Sequence, residues 1–303
     1  MKKRLLLVGI FLLCFVLPFR ATAFANTYSQ IVAFGDSLSD NGEADGFGFG
    51  VYSNGSVWVD YLSTDLNTVL LDMAYGGAQS NYHPSASGLG YPPETFGFRW
   101  QIDQYINTVA GETADSDALY SLWIGGNDLL NMTDPPSTVI GNAVTNIALG
   151  INDLVAAGAE NILVMNMPNL GTTPFMNGYN SPPYLDDPVG GALLAGAFNQ
   201  ALDFAIDPYR SAINLFEVDV FTTMGQFIAD GKFDNYTNML STDLPTSDSY
   251  MFWDAIHPTT YAHSLIAEAA YNEVAPVPEP ATILLFGSGL AGLFGFRRKF
   301  RKR

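Results

Sequence analysis

Gln30-Ile31-Val32-Ala33-Phe34-Gly35-Asp36-Ser37-Leu38 decides the fold. An unbroken apolar run ends at a glycine, and a serine follows two positions later. A strand that is apolar on both faces belongs inside a parallel sheet. A serine just past its carboxyl end stands where such sheets present their chemistry. The rest of the chain repeats this theme. Apolar runs at 30–34, 68–73, 118–124, 161–167 and 213–219 read as five strands, the fourth stopped by Pro168. Helical patterns fill the intervals at 57–64, 99–109, 137–157 and 191–208. A last helix is expected after His257, with Pro258 in its first position, running to about Glu273. Alternating strands and helices imply an α/β fold, a parallel sheet with helices on both faces and right-handed crossovers.

Three groups follow the strand ends: Ser37, the turn Tyr75-Gly76-Gly77-Ala78, and Asn127. All three suit acyl transfer. A serine hydroxyl is a weak nucleophile until a base takes its proton. Gly35 permits a tight turn, after which Asp36 and Ser37 are placed to open a short helix. The base is sought among the histidines: His83, His257 and His263. His257 stands out because Asp254 lies three residues before it and Pro258 directly after. Proline biases the preceding residue toward extended backbone. A loop Asp at that distance can turn its carboxylate to Nδ1 and leave Nε2 for Ser37. His83 reads as a loop residue without chemistry, and His263 as a residue of the last helix, away from the site. A developing oxyanion needs donors set in place beforehand. The backbone N–H of Ser37, the N–H of Gly77 and the side-chain amide of Asn127 are the candidates. Asp128 is expected to cap the helix that follows.

The two ends of the 303-residue chain read differently from its body. Lys2, Lys3 and Arg4 precede an apolar stretch over 5–19 and two small-x-small sites, at 21–23 and 23–25. That is the pattern of a secretory signal over residues 1–25. The only cysteine, Cys14, lies within it, which excludes a cysteine nucleophile or cysteine-ligated metal in the body. At the other end, Val277-Pro278-Glu279-Pro280 precedes 16 apolar residues and the basic run 297–303. Sixteen residues are marginal for crossing a bilayer core of roughly 30 Å. The body, 26–275, forms one domain of about 250 residues. It keeps Arg99, Arg210 and Lys232 against 29 acidic residues, a net charge of −26. Such a surface repels nucleic acid and anionic membranes and suits a neutral or cationic substrate.

Phe34-Gly35-Asp36-Ser37-Leu38-Ser39-Asp40-Asn41-Gly42 resembles the first block of the GDSL, or SGNH, hydrolases. Tyr75-Gly76-Gly77-Ala78, Gly125-Gly126-Asn127-Asp128 and Asp254-Ala255-Ile256-His257-Pro258 resemble the other three. Ser53-Asn54-Gly55-Ser56-Val57-Trp58 and Pro168-Asn169-Leu170-Gly171-Thr172-Thr173-Pro174 are similar to segments of the lipase-like branch. The resemblance covers about 31–270. It implies a flavodoxin-like three-layer α/β/α sandwich with a five-stranded parallel sheet, no cofactor, and ester hydrolysis through an acyl-enzyme. Ser37, Asp254 and His257 would then be catalytic, with Ser37, Gly77 and Asn127 forming the oxyanion hole. The tail 277–303 resembles the PEP-CTERM sorting signal of Gram-negative bacteria, which implies export and processing by an exosortase-type protease. A permanent C-terminal anchor is the alternative.

The expected partner is an acyl ester: a lipid, a small ester or an acetylated exported polysaccharide. Transfer of the acyl group to an alcohol would use the same intermediate. Phe47, Phe49, Tyr52, Phe96, Phe98 and Trp100 are candidates to line an acyl groove. A non-catalytic matrix protein on the same fold is a further reading, opposed by the intact set of polar positions. A metal site is not supported: the acidic stretch 40–45 lacks calcium-loop spacing, and the histidines lack a zinc pattern.

Overall fold

The computed structural model describes residues 28–43, 50–109, 111, 113–179, 186–240 and 248–275. The leader at 1–25, the tail at 277–303 and the groove candidates Phe47 and Phe49 lie outside the described residues. In chain order the elements are β1 (Gln30–Gly35), α1 (Trp58–Asp65), β2 (Val69–Asp72), α2 (Phe98–Gln104), β3 (Leu119–Trp123), α3 (Gly126–Leu130) and α4 (Pro136–Ala157). There follow β4 (Asn161–Met165), α5 (Pro188–Ile206), β5 (Asn214–Val218), α6 (Val220–Ala229), β6 (Asn235–Met239), β7 (Tyr250–Phe252) and α7 (Thr260–Val274).

The five expected strands form one sheet in the order β2-β1-β3-β4-β5, with every pairing parallel. Side chains alternate along β1. Val32 and Phe34 join a core with Ile102 of α2, Ile151 of α4 and Phe198 of α5. Ile31 and Ala33 join the opposite core with Trp58 of α1, Met224 of α6 and Ile266 of α7. Helices on both faces make the three-layer α/β/α sandwich. Strand order reverses between β1 and β3, and their carboxyl ends open the crevice where α/β sheets bind ligands.

Three local expectations are corrected. Pro258 does not begin α7. It makes an isolated antiparallel bridge with Phe252, and Thr259 is the cap, its hydroxyl accepting from the Ala262 N–H. The threonine oxygen satisfies a free helix donor, which proline at the first position would leave to solvent. The helix expected over 99–109 divides into α2 and a π-helical turn over Tyr105–Val109. Asp36 and Ser37 form a turn and no helix: Asp36 Oδ1 accepts from Leu38 N–H, and its carbonyl accepts from Ser39 and Asp40. Strands β6 and β7, a small parallel pair, and α6 were not anticipated; they come from short or polar segments without clear periodicity.

His263 is on α7 as expected, fully buried, with neither ring nitrogen partnered among the described residues. Burial, and then the proximity of His257, lower its pKa from 6.5 to about 3. The folded state therefore holds it neutral where the unfolded chain would protonate it. Its stabilisation is complete above pH 6.5 and is lost as pH falls toward 3. Asp36, which burial raises to about 7, acts in the opposite sense over much of that window, so the comparison must be between proteins that share it. In urea unfolding, His263→Leu is expected to gain about 2 kcal/mol relative to the natural protein between pH 7 and pH 5. Parallel pH profiles for the two proteins would contradict this.

Candidate active site

The turn after β1 begins at Gly35, where close packing requires glycine. A Cβ there would stand 2.5 Å from the Trp123 carbonyl on the neighbouring strand. The side chain of Gln101 brackets this residue. Gly35 N–H donates to Gln101 Oε1 at 2.9 Å, and Gln101 Nε2 donates to the Gly35 carbonyl at 2.8 Å. Two buried carboxylates organise the next turn. Asp40 accepts from Gly42 and Gly76 N–H, and Asp72 accepts from Asn41 and Ala74 N–H. The first links the serine turn to the glycine turn; the second links it to the end of β2.

Ser37 and His257 meet across this crevice. Ser37 Oγ lies 2.7 Å from His257 Nε2. His257 Nδ1 lies 2.7 Å from Asp254 Oδ2. A carboxylate only accepts, so Nδ1–H donates to it and Nε2 is free to accept from the serine hydroxyl. Asp254 is fixed by its own loop: Oδ1 accepts from Ile256 N–H at 2.9 Å and from His257 N–H at 2.7 Å. Burial pushes its carboxyl pKa up, but its hydrogen bond and charge interaction with His257 and the two backbone donors prevail, leaving it below the usual value. Asp254 therefore stays ionised behind the imidazole.

The far loop is fastened to the front of the chain by the segment after residue 52. Ser53 Oγ donates to the Pro258 carbonyl, Asn54 Oδ1 accepts from Thr260 N–H, and Thr260 Oγ1 donates to the Ser56 carbonyl. Tyr52 lays its ring against His257, with centroids 5.1 Å apart. The segment at 168–174 serves the other side. Asn169 closes its own turn onto Gly171 N–H, and Phe175 N–H donates to the Ala255 carbonyl.

Asn127 lines the cavity beside Ser37, and its Nδ2 donates to the Ala78 carbonyl at 3.0 Å. That bond uses one amide hydrogen and leaves the other. Asp128 does not cap α3, as the sequence suggested. It turns to Ser80, accepting from its N–H at 2.9 Å and its hydroxyl at 2.6 Å. Gly77 adopts φ +85°, a conformation that side chains resist. Ser37, Asn127, Asp254 and His257 thus converge, and the Asn127–Ala78 bond ties the Gly77 turn to them. His83 is the departure from expectation: it is buried, and its Nε2 lies 2.7 Å from the Gly76 carbonyl.

Two spaces open at the site, both bordered by Asn127 and His257 and the first also by Ser37. One is an apolar cavity of ≈ 50 Å³ walled by Leu38, Trp123, Met167, Leu170, Met224 and Phe252. The other is a wider cleft of ≈ 510 Å³ along Asp254, bordered by Asn127, Asn131, Phe175, Tyr179 and Met239. No Lys or Arg lines either among the described residues. The expected acyl-groove aromatics that are described, Tyr52, Phe96, Phe98 and Trp100, line neither space. Phe96 and Phe98 are core residues, Trp100 packs against that core, and Tyr52 backs the imidazole. No His, Cys, Asp or Glu cluster able to hold a metal ion occurs among the described residues.

The chain is similar to known proteins. The profile of the GDSL-like lipase/acylhydrolase family matches residues 31–270, and that of the PEP-CTERM protein-sorting motif matches 276–299. A thermolabile hemolysin of Vibrio parahaemolyticus is 26% identical over 79% of this chain; the match spans 62% of the hemolysin's length. An acetylesterase of Thermothelomyces thermophilus is 27% identical, over 72% of this chain and 74% of its own. Among solved structures, an acetylxylan esterase from Geobacillus stearothermophilus superposes with a TM-score of 0.50 at 17% identity. The match covers 84% of this chain and 98% of the esterase, a likeness of fold.

The packing of Tyr52 between the glycine turn and the imidazole has a direct test. A Cβ on Gly76 would overlap the Tyr52 ring. Displacement of a group that positions a reacting base by about 1 Å can cost roughly 10²-fold in rate. Gly76→Ala is expected to lower kcat/KM for ester cleavage by about that factor with its circular dichroism spectrum unchanged. Undiminished cleavage would show that the contact with Tyr52 does not matter.

Proposed function

Since the chain belongs to the GDSL-like lipase/acylhydrolase family, we propose that it cleaves neutral carboxylic esters of short acids, by a covalent acyl-enzyme on Ser37. The observation that carries the reading is the continuous chain of hydrogen bonds from Ser37 Oγ through His257 to Asp254, each 2.7 Å. Ser37 Oγ attacks the ester carbonyl as His257 Nε2 takes its proton. Asp254 holds the imidazole in the required tautomer and stabilises the imidazolium. The N–H groups of Ser37 and Gly77 and the amide of Asn127 receive the oxyanion. The tetrahedral species expels the alcohol, which takes the proton from His257. Water, deprotonated by the same imidazole, then attacks the acyl-enzyme, releasing the acid and free Ser37. An alcohol in place of water would give acyl transfer.

Substrate size follows from the two spaces. At ≈ 50 Å³ the apolar cavity has about a third of the volume of a cavity that holds benzene. That suits acetyl to butyryl chains and disfavours the long chains of lipids. The wider cleft receives the alcohol, and its size suits a bulky one such as an O-acetylated glycan. The absence of a basic side chain on either wall, among the described residues, supports a neutral ester.

The PEP-CTERM motif marks the chain for export and surface or extracellular targeting. The finer organisation belongs to the proposal: a signal peptide over 1–25, a hydrolase domain over 26–275, and a tail over 277–303 handled by an exosortase-type protease in a Gram-negative envelope. A series of p-nitrophenyl esters tests the activity. Turnover is expected on acetate and butyrate and to fall at least about tenfold by octanoate. Ser37→Ala should abolish it while leaving the melting temperature within a few degrees. Turnover retained by purified Ser37→Ala overturns the assignment, and a rise in rate toward long chains overturns the size argument.

A further inference from the structure

His83 is buried, and the mechanism above gives it no part. Its two ring nitrogens are nonetheless fully specified. Ser85 N–H donates to Nδ1 at 3.1 Å, so Nδ1 carries no proton. The proton is therefore on Nε2, which donates to the Gly76 carbonyl at 2.7 Å. Its own N–H is held by the Pro93 carbonyl, and the ring meets Phe96 edge-on at 5.9 Å. Burial lowers its pKa below 6.5, which keeps it in this neutral form.

The Gly76 carbonyl belongs to the peptide whose N–H is that of Gly77. In a trans peptide the C=O and N–H point in opposite directions. Fixing the carbonyl toward His83 therefore aims the Gly77 N–H away from it. The residues on either side of this peptide reach the serine site. Tyr75 N–H bonds the Gly35 carbonyl at 3.3 Å, and the Ala78 carbonyl accepts from Asn127, which lines the cavity at Ser37. The preceding peptide is held separately, by Gly76 N–H to Asp40 Oδ2 at 2.7 Å. The Gly77 N–H has no acceptor among the described residues. Two glycines in succession can rotate the shared peptide at little steric cost, so something outside the turn must set its tilt.

We propose that His83 is the positioning residue of the oxyanion site: by donating Nε2–H to the Gly76 carbonyl it fixes the tilt of the Gly76–Gly77 peptide and aims the Gly77 N–H at the developing oxyanion. The same bond polarises the peptide and strengthens its N–H as a donor. This assignment rests on the ester-hydrolase reading with Gly77 in the oxyanion hole.

The test compares His83→Phe, which keeps a ring and removes the donor, with His83→Gln, whose amide can still reach the carbonyl. Removing an oxyanion donor outright costs about 10²–10³-fold in kcat, so loss of its alignment is expected to cost about tenfold or more. His83→Phe should lower kcat on p-nitrophenyl acetate by that factor, leave KM nearly unchanged, and weaken binding of a trifluoromethyl ketone in proportion. His83→Gln should restore most of all three. Should His83→Phe not fold, His83→Asn, polar like Gln but one methylene shorter, gives the same contrast. Unchanged kcat in a folded His83→Phe overturns the proposal. So does an equal loss in the Phe and Gln variants, or a loss matched by the unfolded fraction in a thermal melt. In those cases the natural protein still turns over ester. A natural protein silent toward every ester sinks the hydrolase reading and, with it, this role for His83.

Discussion

The hydrogen bond between Ser37 and His257 joins residues 220 positions apart, and the rest of the structure is arranged around it. Neither residue is on an element that touches the other directly. Ser37 leaves β1 on a turn whose shape Gln101, Asp40 and Asp72 fix from below. His257 lies in the loop between β7 and α7, where a bridge from Pro258 to Phe252 and the Trp253–His257 backbone bond narrow its freedom. Packing of α1 against α7 brings the two regions together, and the side chains of Ser53, Asn54 and Thr260 set their final spacing. A serine and an imidazole cooperate only within hydrogen-bonding reach. A sheet with its strand order reversed between β1 and β3 brings Ser37 and Asn127 to one crevice, and the loop between β7 and α7 sets His257 beside them.

The site depends on buried acids as much as on Ser37 and His257. Asp36, Asp40 and Asp72 are all buried within one turn of chain and the adjoining strand. Burial raises the Asp36 carboxyl to about 7 and the Asp72 carboxyl well above its usual value, with backbone N–H bonds countering part of the cost. A carboxyl group that accepts two backbone donors, as Asp40 and Asp72 do, ties separate stretches of loop together. This is how irregular backbone keeps a fixed geometry beside the serine. The arrangement also explains the tight glycines. Gly35 faces a neighbouring carbonyl, and Gly76 faces Tyr52. In both places the backbone approaches another group closely, and a side chain would separate the parts that must meet.

Much of this was legible in the sequence, for physical reasons that also mark its limits. The five strands were readable because each is a short, largely apolar run bounded by breakers; the inner three, β1, β3 and β4, are buried on both faces, and the edge strands β2 and β5 are half-exposed. Ser37, Asn127, Asp254 and His257 were readable because each stands at a strand end or in a short loop with a distinctive neighbour. Gln101, Tyr52 and His83 were not. Their roles depend on contacts with Gly35, His257 and Gly76 that only the folded chain creates, and nothing local sets them apart. Asp128 misled because its spacing fits a helix cap while its partner, Ser80, is 48 residues away. Tyr52, Phe96, Phe98 and Trp100 were expected at an acyl groove and lie away from both spaces for a similar reason. Aromatic loop residues looked available, yet Phe96 and Phe98 are spent on the core, and the cavity is walled partly by Met167 and Met224 from distant segments.

On the proposed reading, His257, held by Asp254, turns one buried serine into a nucleophile. Fluorophosphonate labelling followed by peptide mapping measures this directly, because the reagent reports activated serines and needs no knowledge of the substrate. A single adduct is expected, on Ser37, formed at a rate that falls by orders of magnitude in folded His257→Gln. An adduct on any other serine, or an equal rate without the imidazole, would contradict it.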